Sequence, residues 1–541
     1  SYTYKLLTGR YEAFDSIRKR DGISGFPKRE ESIYDHFNTG HSSTSISAAL
    51  GFARAARLTG RKYHSIAVIG DGALTGGLAL EAMNDAGASG DNVIILLNDN
   101  EMSISKNVGG IAEYFSRLRS IRLYSGTNEK VRSRVEKIPL IGKLMARSIH
   151  NLKSAVKYLF SQGMLFEEMG LTYLGPVNGH DIKKLESILN DALKVKGPVL
   201  VHAITTKGRG LTEAENEPEK YHGVKGNGHA DACEGNEETY SSMMGSILTD
   251  MAPDVPEMTV ICPAVAPGCG LSGFASSYGD RFFDVGIAEQ HAVTLAAGMA
   301  CSGLIPVVCS YSTFMQRAYD QIIHDVCLMK LHVVFAMDRA GIVSEDGETH
   351  QGIYDLAYLS HMPGIKVFTP YNGHSMKQLF ERAVGREMGP VVIRYPKGCA
   401  STGFYDNSDE ADGIRIYKGG NKVLVVSYGR MLSRVYKMLI VTNELKDCSL
   451  AGIEELVPLD TASIIDMAGH YEKVIFIEDV VYEGSCAQRF ISKLKGSELN
   501  KYSGITVPAE FNATGSIDEI LDGIGMGNNG IIMRLNELLI G

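Results

Sequence analysis

Ser65-Ile66-Ala67-Val68-Ile69-Gly70-Asp71-Gly72-Ala73-Leu74-Thr75-Gly76-Gly77 is the stretch on which the fold turns. An apolar, β-favouring run empties into Gly-Asp-Gly, and small residues then open a helix: strand, glycine turn, helix start. In a parallel α/β sheet such a junction lies at the carboxyl edge, where ligands bind. The free N–H groups of a helix start suit a phosphate. Asp71 adds a carboxylate for the metal that a diphosphate needs, and Mg²⁺ takes hard oxygen ligands. The next apolar run, Val93–Leu97, empties in turn into Asn98-Asp99-Asn100. Gly-Asp-Gly alone is an ordinary turn. With Asn-Asp-Asn after the following strand, two adjacent strand ends can share one metal through Asp71 and the amide oxygen of Asn100.

Outward from that pair the same alternation continues. Strand-like runs stand at Val199–Ile204, Met258–Cys262, Ile305–Cys309, His332–Met337, Val391–Ile393, Val423–Ser427 and Val474–Ile477. Helical patterns lie between strands at Ser45–Arg57, Gly76–Ala86, Ile182–Val195, Ala292–Met299 and Met376–Val384. Buried strands alternating with helices predict an α/β fold with mostly parallel sheets. At 541 residues the chain exceeds the ~250–300 residues that one core holds. Shifts in composition cut it into three domains: 1–235, 236–400 and 401–541. The first carries a basic helical insertion at 111–160 and runs into an acidic, glycine-rich linker at 211–240.

A net charge of −9 argues against a nucleic-acid protein, which relies on clustered Lys and Arg. No apolar run approaches the ~18–20 residues that span a bilayer, and Lys5, Arg10 and Glu12 interrupt the start before the apolar core of a signal peptide can form. Neither nucleic acid nor membrane is therefore expected as a partner. The cysteines number nine, an odd count without a Cys-x-x-Cys pair. They indicate neither a disulfide framework nor a zinc knuckle and predict a reducing, cytoplasmic compartment.

Seven stretches carry a resemblance: TGHSSTSISAALG (39–51), GDGALTGG (70–77), LNDNEMSIS (97–105), DVGIAEQHAV (284–293), YSTFMQRAYDQ (311–321), DRAGIVSEDGETHQG (338–352) and IRYPKG (393–398). The Gly-Asp-Gly and Asn-Asp-Asn pair resembles the signature of thiamine diphosphate (ThDP) and Mg²⁺. The whole set resembles the 1-deoxy-D-xylulose-5-phosphate synthase family, relatives of transketolase. The match runs through the first two segments and is loose in the third. It implies three transketolase-like domains: one for the diphosphate and Mg²⁺, one for the pyrimidine, and a C-terminal domain. It also implies condensation of pyruvate with D-glyceraldehyde 3-phosphate to 1-deoxy-D-xylulose 5-phosphate and CO₂, a precursor of isoprenoids, thiamine and pyridoxal, in a cytoplasmic homodimer. Two other readings stay open: a transketolase-type two-carbon transfer between sugar phosphates, and an inactive ThDP-binding fragment or partner subunit.

Residue by residue, the resemblance assigns the metal to Asp71, Asn100 and the backbone carbonyl of Met102. Gly40, His41, Ser42, Gly72, Ala73 and Asn100 would meet the diphosphate or thiazolium, and Phe314 would stack on the pyrimidine. Glu289 would hydrogen-bond N1′ of that ring, which needs a carboxyl in an apolar site. His350 and His222 match active-site histidines, and Tyr311, Asp346 and His350 match substrate positions. Arg339, Arg394 and Lys397 each follow an apolar strand, where three cations can clamp a phosphate monoester.

Departures from the family pattern are visible as well. Lys397 stands where Arg is common, so a bidentate fork becomes a point charge. Val265-Ala266-Pro267-Gly268-Cys269-Gly270 replaces a loop that more often carries Glu, and Leu211 stands where Tyr is frequent. The family also carries, before Ser1, a stretch with a helix and two histidines. A chain without it is expected to turn over slowly and to expose the edge of its first sheet.

Overall fold

The computed structural model describes residues 2–102, 107–125, 163–219, 221–223, 233, 238–400, 403–411, 414–442, 445–511 and 514–540. They form two compact units: His41–Gly223 with Gly286–Ala288, and Ser1–Gly40 with Val224–Val285 and Glu289–Gly541. The smaller unit holds a four-stranded parallel sheet built from β1 (Ser65–Gly70), β2 (Val93–Asp99), β3 (Thr172–Asn178) and β4 (Val199–Ile204), in the order β1-β2-β4-β3. β2 and β4 are central and apolar nearly throughout, as strands buried on both faces must be. β1 is an edge strand, and it alternates: Ala67 and Ile69 face the core, while Ile66 and Val68 are exposed. Helices Ser45–Thr59 and Gly77–Ser89 pack Ile46, Leu50, Ala79 and Met83 onto that core. Each ends at a glycine with positive φ, Gly60 and Gly90, a conformation that stops a helix without strain.

The larger unit contains two sheets. The seven-stranded one contains β5 (Met258–Cys262), β6 (Phe282–Asp284), β7 (Ile305–Tyr311), β8 (Val334–Asp338), β9 (Lys366–Phe368) and β10 (Val391–Arg394). All pair in parallel in the order β9-β10-β8-β7-β5-β6, so β7 and β8 end side by side, Tyr311 against Asp338. The six-stranded one begins with an antiparallel edge, β11 (Asp409–Ala411) and β12 (Ile414–Tyr417), followed by β13 (Val423–Ser427) and β14 (Cys448–Gly452). Glu455–Val457 (β15) leaves this sheet and pairs antiparallel with β9 of the other. β16 (Lys473–Val481) and β17 (Tyr502–Val507) complete the order β11-β12-β14-β13-β16-β17.

By its contacts the segment Ser1–Gly40 groups with the larger unit. Arg18 pairs with Asp346 at 2.6 Å, Lys28 with Glu348 at 3.0 Å, and Arg20 donates to the Glu519 carbonyl at 3.0 Å. Such pairings join residues hundreds of positions apart, which no local pattern signals. One finding differs from the sequence reading: Cys233 and Cys399, 166 residues apart, form a disulfide with Cα atoms at 5.5 Å, although the cysteine spacing indicated none. Only the start of the basic insertion is described, as helix Gly110–Ser125, and the rest of 111–160 lies outside the described residues, as does most of the linker. No helix among the described residues is long and apolar enough to cross a membrane.

Candidate functional site

In the smaller unit, β1 and β2 run in register with Gly70 opposite Asn98, which brings the two motif turns together. Asp71 opens the turn after β1 and is buried, and its Oδ1 has no hydrogen-bond partner among the described residues. Burial, and then the facing carboxylate of Asp99, push the Asp71 carboxyl up to about 7. Asp99 is held low instead: against the burial penalty it accepts from His202 Nε2 at 2.8 Å and pairs with Arg119. His202 Nδ1 in turn meets the Tyr173 hydroxyl at 2.8 Å. An orphaned carboxylate oxygen beside a second carboxylate is an environment that a divalent cation relieves. The Asn100 Oδ1 accepts from the Met102 N–H at 3.1 Å, which fixes that turn. Among the described residues no cluster of three His, Cys, Asp or Glu side chains could hold a metal alone. One carboxylate, one amide and a carbonyl would leave coordination positions for a diphosphate, so the residues present fit a metal–diphosphate pair.

The loop His41-Ser42-Ser43 closes on the same turn, with the Ser43 hydroxyl donating to the Ala73 carbonyl at 2.7 Å. A Cβ on Gly76 would stand 2.5 Å from that hydroxyl oxygen, so glycine is required there. The helix cap is Thr44, which makes no side-chain cap bond, so the Ser43 hydroxyl serves the turn and not the helix start. His222 is exposed, its Nδ1 lying 2.9 Å from Lys207 Nζ.

In the larger unit, Glu289 begins helix Glu289–Cys301 and is 4% exposed. Burial raises its pKa, opposed by Arg317, whose Nη1 lies 3.6 Å away. At the ends of β7 and β8, the Arg339 guanidinium lies over the Tyr311 ring at 3.7 Å, with Tyr311 and Phe314 stacked at 5.2 Å. Phe314 also meets the His350 ring edge-on at 5.4 Å, and Phe26 stacks on that imidazole at 5.2 Å. Asp346 is held below the ordinary carboxylate range because His350, Arg18 and Arg339 outweigh its burial. Gly40 packs on the same loop, where a Cβ would stand 2.4 Å from Thr349.

A cavity of about 360 Å³ opens beside these residues, lined by Ser241, Ser242, Gly268, Gly270, Arg339 and Lys397 among others. A Cβ on Gly268 would lie 1.9 Å from the Tyr311 hydroxyl oxygen, so the departure from the family loop keeps the glycine that this approach requires. Arg339 is held with φ +60, and its Nε is buried without a hydrogen-bond partner among the described residues. Lys397 reaches the Ser344 hydroxyl at 3.4 Å. Arg394 is employed elsewhere: 2% exposed, it forms a two-point pair with Asp355 at 2.9 and 3.1 Å. Its Nε and Nη2 are committed to that buried carboxylate, and of the three cations expected at the phosphate only Arg339 and Lys397 line the cavity.

Several contributors carried no sequence signal of their own. His202 is a lone histidine in an apolar strand, and its partner Asp99 is the middle residue of Asn-Asp-Asn. Arg317 lies inside YSTFMQRAYDQ but acquires meaning only by facing Glu289. Arg18 and Phe26 precede every motif quoted above.

Residues 1–205 match the 1-deoxy-D-xylulose-5-phosphate synthase family, 237–401 the transketolase pyrimidine-binding domain, and 412–531 the transketolase C-terminal domain. Among curated relatives, the 1-deoxy-D-xylulose-5-phosphate synthase of Clostridium tetani is 41% identical over 99% of this chain and 88% of its own length. That of Carboxydothermus hydrogenoformans is 43% identical over 100% and 88%, and that of Clostridium kluyveri 46% over 90% and 78%. Near-complete coverage at such identity, on three transketolase-like sheets, shows that this chain belongs to the 1-deoxy-D-xylulose-5-phosphate synthases, a family of ThDP-dependent transferases.

Proposed function

We propose that this chain condenses pyruvate with D-glyceraldehyde 3-phosphate, releasing CO₂ and forming 1-deoxy-D-xylulose 5-phosphate, with ThDP and Mg²⁺ as cofactors. The observation that carries the reading is Arg339, which has a buried Nε without a partner among the described residues and lines a cavity with Lys397 and three glycines. Two cations and close backbone suit a phosphate monoester. When bound, ThDP supplies the electron sink for decarboxylation. Asp71, Asn100 and the Met102 carbonyl would hold Mg²⁺ and, through it, the diphosphate, with Gly72, Ala73, Gly40, His41 and Ser42 along it. Glu289 would share its proton with the pyrimidine N1′, and its burial favours the protonated carboxyl that this requires. Phe314 would pack on the pyrimidine.

On the acceptor side, Arg339 and Lys397 anchor the phosphate, which orients the aldehyde relative to Asp346 and His350. His350 is fixed by the Phe26 and Phe314 rings, and its Nδ1 lies 2.8 Å from the Thr349 hydroxyl oxygen. His350 and His222 are the proposed proton-transfer groups. The setting proposed for this activity is a cytoplasmic homodimer. The test feeds 1-¹³C-pyruvate and D-glyceraldehyde 3-phosphate to the ThDP-loaded protein. The expected outcome is labelled CO₂ in step with 1-deoxy-D-xylulose 5-phosphate. Two-carbon transfer between sugar phosphates without pyruvate-dependent CO₂ would point to transketolase chemistry instead.

A further inference from the structure

A second cavity, of about 530 Å³, lies in the larger unit and shares Lys397 and Gly398 with the smaller one. Its polar wall is strongly cationic. Lys397, Arg430, Arg434 and Lys437 line it, and Asp518 is the single carboxylate among its described lining residues. Arg430, Arg434 and Lys437 stand four and then three residues apart on helix Gly429–Val441, which places three positive charges on one face. Like charges at that spacing repel, so a fold gains nothing from the arrangement unless something negative faces it. Existing partners offset part of the charge. Arg434 pairs with Asp518 and donates to Asn528 Oδ1 at 2.7 Å. Arg430 donates to the Lys397 carbonyl at 2.5 Å, and its charge also acts on the buried Asp479.

Two further features point to an anion with a carbon portion. Gly429 lines the cavity, so the positive end of the 13-residue helix opens into it, and the N-cap Tyr428 makes no side-chain cap bond there. Met438, Val441, Ile517 and Ile532 supply an apolar wall. We propose that this cavity is a second anion site, taking a small phosphate ester whose phosphate meets the Arg430–Lys437 face while its carbon portion lies on that wall. It is separate from the cavity assigned above to the substrate phosphate, and touches it through Lys397.

Phenyl phosphate serves as the probe, titrated calorimetrically into the full chain loaded with ThDP and Mg²⁺. Lys437→Glu, at an exposed position, is expected to weaken binding at least tenfold while leaving kcat and both KM values within twofold. Arg434→Gln with Lys437→Gln is expected to do the same, and Arg339→Ala to leave this binding in place. Inorganic phosphate is expected to bind more weakly than phenyl phosphate, and equal affinities would overturn the ester assignment. Binding abolished by Arg339→Ala but untouched by Lys437→Glu would overturn the site, because it places the anion in the smaller cavity. Binding unchanged by every variant would overturn it too. The readout is binding and not turnover, so it holds whatever the assay of the proposed reaction returns.

Discussion

Glu289 and Arg394 are both buried charges, and their surroundings give them opposite employments. Glu289 has one cation at 3.6 Å and otherwise low-dielectric neighbours, so its carboxyl is pushed towards the protonated form. Glu289→Gln is expected to keep ThDP bound while slowing hydrogen–deuterium exchange at the thiazolium C2 by about 10²–10⁴-fold, the usual scale of acid–base help. Nuclear magnetic resonance of quenched cofactor reads that exchange. Arg394, locked to Asp355, is structural. Its replacement by Ala strands a buried carboxylate and is expected to cost about 3–5 kcal/mol, seen as a lower unfolding midpoint. Arg339→Ala acts differently. It is expected to raise KM for glyceraldehyde 3-phosphate about 10–100-fold, from charge-assisted bonds of about 1.5–3 kcal/mol, and to leave KM for unphosphorylated glyceraldehyde nearly unchanged. Lys397→Ala should show a smaller effect of the same kind. The sequence placed all three cations correctly at strand ends. It could not tell which one meets Asp355, because that partner lies 39 residues away on another element.

Between neighbouring elements, the proposed metal pair, Asp71 and Asn100, is a property of two strand ends and not of either turn. Asp71→Ala and Asn100→Ala are each expected to abolish Mg²⁺-dependent ThDP binding in calorimetric titration, while either variant keeps β1 and β2 paired through backbone bonds. The loop Asp346–His350 is set by another element, the N-terminal segment carrying Arg18 and Phe26. Asp346 has a folded pKa below its unfolded value of ~3.9. Its contribution is therefore complete above that unfolded value and is lost as pH falls through the lower folded one. Arg18→Ala removes one of the cations that depress it. The difference in unfolding midpoint between parent and variant should be greatest near neutral pH and shrink towards zero on acidification. A difference independent of pH would show that Arg18 acts by packing alone.

On the scale of the whole molecule, the chain crosses between sheets in ways that bind distant segments. β15 leaves the third segment to extend the second segment's sheet, and Cys233 is tied to Cys399. Closing a loop of that length restricts the unfolded chain, so Cys399→Ser is expected to lower stability by about 2–4 kcal/mol in an oxidising buffer. In a reducing buffer parent and variant should melt together. Sequence alone determined what is local: strand–turn–helix junctions, because apolar runs and glycine turns are set by residues within a few positions, and the strings that carry the family resemblance, because each is a run of adjacent residues. Tertiary structure decided what depends on return of the chain. It decided that Ser1–Gly40 braces the loop Asp346–His350, that Arg394 is buried against Asp355, that Asp99 is held by His202, and that two cysteines meet. Each of these is a pairing between residues tens to hundreds of positions apart, and its energy comes from burial and charge, which exist only once the sheets have assembled.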